Sequence, residues 1–180
     1  MNIAFTGAQG TGKSTLVETL LESGILPDHK RYVNPQRLLH NYLGDKFPHS
    51  SKANDLSQIG IYSNFVIQLL GGNLICDRSL IDALAYSELA EGVKNHEELE
   101  EIFSKGLELY DIIFYTPIEF KVEEDGFRDT REDYIKSVDL TIQKYINKYQ
   151  DKIRVVRVSG TVEERMKIIL ESIKSLKETE

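Results

Sequence analysis

The sequence predicts a three-layer α/β domain, with a doubly wound, parallel, five-stranded sheet between two layers of helices. Three observations carry that expectation. Short apolar runs alternate with longer stretches of helical periodicity, the pattern of successive βαβ units. The first apolar run ends on a glycine-rich turn that opens directly into a helix. Finally, 180 residues with 41% hydrophobic and 28% charged side chains suit one globular domain with a full core. No repeat, low-complexity linker or shift in composition divides the chain, so residues 1–180 are read as one domain.

The elements follow in order. Ile3 to Thr6 is a buried strand ending at Gly7. Lys13 to Glu22 is a helix stopped by Gly24 and Pro27. Arg31 to Asn34 is a weak second strand, and Pro35 suits the first position of a helix running to Leu43. Phe47 to Ala53 reads as loop. Leu56, Ile59, Ile61, Phe65, Ile67 and Leu70 lie on a long helix broken by Gly71-Gly72. Leu74-Ile75-Cys76 is a central strand ending in Asp77, followed by a helix from Ser79 to Glu91. Asn95 with Glu98 has the spacing of a capping box. Ile112 to Tyr115 is a strand stopped by Thr116-Pro117. Ile135, Val138, Ile142, Tyr145, Ile146 and Tyr149 step by three and four, which is an amphipathic helix. Ile153 to Val158 is the last strand. Thr161 and Glu164 form a capping box for the final helix, whose inner face is Val162, Met166, Ile169, Leu170, Ile173 and Leu176.

Composition narrows the function. With 22 Lys+Arg against 29 Asp+Glu the formal net charge is −7, which argues against coating nucleic acid or anionic lipid by bulk charge. Nucleic acid is not thereby excluded as a partner. The single cysteine, Cys76, allows no internal disulfide and no cysteine-based zinc site, and points to a reduced, cytoplasmic compartment. His29, His40, His49 and His96 are scattered without ligand spacing. No apolar run approaches the ~20 residues of a membrane span, and the first residues lack the layout of a signal peptide.

Gly7-Ala8-Gln9-Gly10-Thr11-Gly12-Lys13-Ser14 fits G-x-x-x-x-G-K-[ST] and is followed by Thr15. The chemistry needs this spacing. Glycines let the backbone curl so that successive N–H groups face phosphate oxygens, and the helix N-terminus adds its positive end. Lys13 reaches the β- and γ-phosphates, and the Ser14 hydroxyl can ligate Mg²⁺. The motif points to a nucleoside triphosphate and says little about what is done with it, since ATPases, GTPases and small-molecule kinases share it.

Asp77 stands at the C-terminal edge of its strand, where open α/β sheets place ligands. A carboxylate there can hold Mg²⁺ through water or accept a proton from an attacking hydroxyl. Arg78 can fork onto a phosphate. Taken alone, an Asp-Arg pair is better explained by a salt bridge in a surface turn; behind a phosphate loop and an apolar strand it points to function.

With the phosphate loop, Asp77-Arg78-Ser79-Leu80-Ile81-Asp82 and Asp125-Gly126-Phe127-Arg128, the chain resembles the nucleoside and nucleotide kinases of the phosphate-loop superfamily. The likeness runs over nearly the whole chain. It is nearest the ribosylnicotinamide-kinase-like and thymidylate-kinase-like small kinases of bacteria and phages. It implies that a lid over about residues 119–131 carries Arg128 and Arg131 to the transferring phosphoryl group. It implies that Gly160-Thr161 skirts the adenine. It places acceptor contacts on Asn34, Arg37, Tyr42, Gln58 and Arg78. Related kinases often have an acid where this chain has Asn34. That departure weakens a nucleoside acceptor and favours one already anionic.

The resulting expectation is an ATP- and Mg²⁺-dependent phosphotransferase acting on a small nucleotide or nucleoside, favouring a deoxynucleoside monophosphate. Its catalytic residues are Lys13, Asp77, Arg78, Arg128 and Arg131, with Ser14 and Asp77 at the metal. Ribosylnicotinamide, or a hydroxymethyl pyrimidine within DNA, is the alternative acceptor. A nucleotide-dependent switch or assembly ATPase is the alternative of another class. A homodimer is compatible with the sequence.

Overall fold

The computed structural model describes residues 1–32, 34–44, 48, 52–119 and 132–178, and of Arg37 the backbone only. The strands are β1 (Asn2–Thr6), β2 (Lys30–Arg31), β3 (Leu74–Asp77), β4 (Ile112–Tyr115) and β5 (Val155–Arg157). They form one parallel sheet in the order β2-β3-β1-β4-β5. The helices are α1 (Lys13–Glu22), α2 (Pro35–Leu43), α3 (Asp55–Leu70), α4 (Leu80–Leu89), α5 (His96–Lys105), α6 (Glu132–Lys148) and α7 (Val162–Lys177).

Alternation along the strands builds two cores. Ile3 and Phe5 of β1, with Ile75, Ile112 and Phe114, face α1 and α7. Ala4, Cys76, Ile113 and Tyr115 face the other way, toward α3, α4, α5 and α6. This is the expected three-layer arrangement, and Cys76 is buried within it. The register sets Phe5 beside Asp77 on one side and Phe114 on the other. The loops that follow β1, β3 and β4 therefore open at one sheet edge. There Gly7 packs on Thr116: a Cβ on Gly7 would come within 2.4 Å of the Thr116 carbonyl oxygen, so no larger residue fits.

Several assignments differ from the sequence reading. The second strand is Lys30–Arg31 rather than Arg31 to Asn34, because the Asn34 side chain already turns back to accept the Gln36 N–H at 2.9 Å. The last strand is only Val155–Arg157, although the Arg154 carbonyl and the Val158 N–H still bond to β4. Asn95 makes no side-chain cap. The Asp55 carboxylate takes its amide at 2.8 Å, together with the Lys94 and Asn95 N–H groups. Val162, at the first position of α7, is exposed rather than inward. The Thr161–Glu164 capping box is present as expected. Among the described residues, no helix is long and apolar enough to cross a membrane.

Candidate active site

The loop after β1 turns over and becomes α1. Gly12 sits in the left-handed region with φ 86° and caps α1 with no side-chain hydrogen bond. Lys13 curls back over the loop. Its Nζ donates to the Ala8 carbonyl at 2.6 Å and to the Thr11 hydroxyl at 3.3 Å. Thr11 in turn shares a hydrogen bond with Thr116 at 2.8 Å, which anchors the loop to the end of β4. An ammonium, a helix N-terminus and a glycine-shaped backbone thus converge as an oxyanion cradle. Thr15 lies just beyond it on the exposed side of α1.

Because β1 and β3 are neighbours, Ser14 and Asp77 meet. The Ser14 hydroxyl donates to Asp77 Oδ2 at 2.5 Å. Two oxygen donors at the mouth of a phosphate cradle suit a hard divalent cation.

Arg78 follows with φ 113°, a left-handed conformation that costs a non-glycine residue roughly 1–3 kcal/mol. The strain aims its guanidinium into the molecule. Arg78 pairs with Asp82 at 3.3 Å and lies 4.9 Å over the Tyr86 ring. Burial works against its charge, but Tyr86, Asp82 and Asp77 outweigh that and hold it more firmly protonated than an ordinary arginine. Asp82 is the hub. It accepts from the Thr6 hydroxyl at 2.7 Å, the Gly7 N–H at 3.3 Å and the Ser79 N–H at 2.8 Å. One buried carboxylate therefore ties the start of the phosphate loop to the start of α4.

A cleft opens beside Arg78. Asn34, Gln58, Phe65, Arg78, Asp82 and Tyr86 are among its walls. Gln58 is only 3% exposed, not a surface residue, and its Oε1 accepts no hydrogen bond among the described residues. Phe65 is both core and wall, stacked on Tyr32 at 4.8 Å. Tyr86 donates its hydroxyl to Gln9 Oε1 at 2.7 Å, joining the cleft to the phosphate loop.

The structure thus brings Lys13, Ser14, Asp77 and Arg78 together, with Asn34 and Gln58 nearby. It does not bring in Tyr42, which is 84% exposed and outside the cleft lining. Arg128, Arg131 and the Arg37 side chain lie outside the described residues. Gly160 and Thr161 are reached from the loop through Arg165. That buried side chain donates to the Thr11 carbonyl at 2.7 Å, to the Gly160 carbonyl at 2.9 Å and to Glu119 at 2.6 Å. Glu119 also accepts the Gly160 N–H at 2.9 Å.

Residues 2–165 match the AAA domain family. The chain belongs to that family. A search of curated protein sequences finds no match. Among solved structures, this AAA domain is similar to thymidylate kinase from Candida albicans, at 20% identity and a TM-score of 0.67 over 99% of this chain and 92% of that one. It is similar to deoxyadenosine kinase from M. mycoides with bound dCTP, at 20% identity and a TM-score of 0.65 over 97% and 100%. It is also similar to NadR in complex with NR, at 18% identity and a TM-score of 0.68, covering 97% of this chain and 50% of that one. The AAA domain therefore has the fold of phosphate-loop nucleotide kinases.

Sequence reasoning missed Tyr86, Thr116 and Arg165 as parts of the site, and it placed Glu119 only at the start of the lid. Asp82 stands out in the sequence only as the last residue of Asp77-Arg78-Ser79-Leu80-Ile81-Asp82. Tyr86 carries a faint signal, since it follows Asp82 by four residues on the same helix face. Arg165 carries none: it reads as one more charge on an amphipathic helix.

Proposed function

We propose that the protein is an ATP- and Mg²⁺-dependent kinase that phosphorylates a small nucleotide, a deoxynucleoside monophosphate by preference. The observation that carries this reading is the junction at Asp77-Arg78. The metal-type pair Ser14–Asp77 faces the phosphate cradle, and the next residue turns its guanidinium toward a separate cleft walled by amide and aromatic groups. Donor and acceptor would then meet at the strand end.

The ATP tail lies along Gly7 to Thr15, with Lys13 drawing charge from the γ-phosphate. Ser14 and, through water, Asp77 suit Mg²⁺, which when bound neutralises phosphate charge. Arg78 steadies the anionic acceptor. Gln58 offers a base edge an unsatisfied acceptor oxygen, and Phe65 or Tyr86 offers a ring face. Asn34 in place of an acid suits an acceptor that needs no strong base. Arg128 and Arg131 are assigned to the closing lid, and Gly160-Thr161 to the adenine side, on the strength of the resemblance. The thymidylate kinase, the deoxyadenosine kinase with bound dCTP and NadR in complex with NR support a nucleotide or nucleoside ligand in general, and the choice of a monophosphate rests on Asn34 and Arg78.

The test offers ATP, Mg²⁺ and a panel of nucleosides, nucleoside monophosphates, ribosylnicotinamide and hydroxymethylated DNA, and reads the phosphorylated product by mass spectrometry. A nucleoside diphosphate is expected. Phosphorylation of ribosylnicotinamide or DNA alone would reassign the acceptor. ATP loss that no acceptor stimulates would point to a switch or assembly ATPase.

A further inference from the structure

The chain segments that follow β4 and β5 meet on the far side of the phosphate loop from the acceptor cleft. The sheet order puts β3 and β2, with Asn34, Gln58 and Arg78 near them, on one flank of β1, and β4 and β5 on the other. A triphosphate whose tail lies in the loop, and whose acceptor fills the cleft, has the β4–β5 flank left for its base. The gap is short. One guanidinium, that of Arg165, reaches both the Thr11 carbonyl and the Gly160 carbonyl.

The backbone on that flank is already used. The Gly160 N–H goes to Glu119, the Gly160 carbonyl accepts Arg165, and the Thr161 N–H goes to Glu164 at 2.8 Å. The Glu119 side chain is different. Its Oε2 takes both the Gly160 N–H and Arg165, while its Oε1 accepts no hydrogen bond among the described residues. The side chain is 28% exposed, so that oxygen is within reach of a ligand. The same two donors hold the carboxyl below its usual range, so at neutral pH it accepts and does not donate. Apolar surface lies beside it along the chain. Ile118 precedes Glu119 and Val162 follows Thr161, and they are 36% and 41% exposed. Apolar side chains on two converging loops suit the faces of a flat ring.

We propose that Glu119 reads the base of the phosphate donor, its Oε1 accepting the 6-amino group of a purine. The inference rests on the triphosphate reading above and adds the residue that chooses among triphosphates. An ionised carboxylate facing a 6-keto purine sets oxygen against oxygen, with neither able to donate. The site therefore takes adenine and turns away hypoxanthine and guanine at that edge. Arg165 is a positioning residue: by occupying Oε2 it leaves Oε1 to the ligand.

Isothermal titration calorimetry of the full chain, with Mg²⁺ and no acceptor, compares ATP, inosine triphosphate and purine riboside triphosphate, which lacks only the amino group. ATP should bind about 10-fold or more tighter than inosine triphosphate, with purine riboside triphosphate between them. Glu119→Gln should invert the order. The Gly160 N–H and Arg165 both demand an oxygen, so the amide keeps its oxygen on them and turns its NH₂ to the base, where a keto group accepts it. Glu119→Asp, which keeps the charge and withdraws the oxygen, should narrow the ratio without inverting it. Loosened packing alone would weaken all three ligands alike and leave the ratio as it was. Equal wild-type affinities overturn the proposal, as does a ratio that the variants leave unchanged. If none of the three binds, the triphosphate reading itself falls, and this inference with it.

Discussion

The Ser14 hydroxyl donates to Asp77 Oδ2 at 2.5 Å, bridging the first helix and the third strand across neighbouring strands of the sheet. In the proposed reaction this pair holds the metal. Ser14→Ala should raise the Mg²⁺ concentration needed for half-maximal turnover. Asp77→Asn should lower kcat by about 100-fold or more, the scale on which a group acting on the transition state is felt. Magnesium titrations of both variants read the two effects separately. Unchanged magnesium dependence in Ser14→Ala would count against the assignment.

Asp82 joins Thr6, Gly7, Ser79 and Arg78 through one buried carboxylate. Removing it leaves Arg78 without its ion pair and strands buried donors. Asp82→Ala should therefore cost about 3–5 kcal/mol in urea unfolding, as breaking a buried pair from one side does. Asp82→Asn should cost less, because the amide can still accept, but it should raise the acceptor KM by loosening Arg78.

Gln58 gives the opposite pattern. Its Oε1 is buried without a partner among the described residues, so that oxygen contributes little to folding. Gln58→Leu should leave the unfolding midpoint unchanged or higher. The same change should raise the acceptor KM by roughly 10-fold or more, since a site built to hydrogen-bond a base loses that bond. Steady-state kinetics beside thermal unfolding separates a recognition role from a packing role.

Glu119 accepts the Gly160 N–H and is paired with Arg165, and these contacts hold its carboxyl below the usual 4.5. A depressed folded-state pKa adds stability that is present above about 4.5 and lost as pH falls through the folded value. Acidification below 4.5 should therefore loosen the tie between Gly160 and the phosphate loop. Glu119→Gln should be less stable at neutral pH and show a flatter fall below 4.5. Urea midpoints against pH check this.

The chain order of these residues hid some relationships and exposed others. The phosphate loop was legible because its chemistry is local: eight consecutive residues, a strand before and a helix after. The sheet was legible because burial on two faces writes continuous apolar runs such as Leu74-Ile75-Cys76. The Asn95 spacing misleads because Asp55, forty residues away, competes for its amide. Gln58 read equally well as a surface residue, since only tertiary packing of α3 against α4 and α5 buries it. Arg165 and Thr116 act at separations of 154 and 105 residues, which no local spacing reveals.

The most direct measurement follows the label of γ-³²P-ATP with Mg²⁺ and a deoxynucleoside monophosphate mixture, for the wild type and Lys13→Ala. The account predicts label in a deoxynucleoside diphosphate for the wild type and none for the variant. Label released only as inorganic phosphate, at a rate indifferent to the monophosphates, would contradict it.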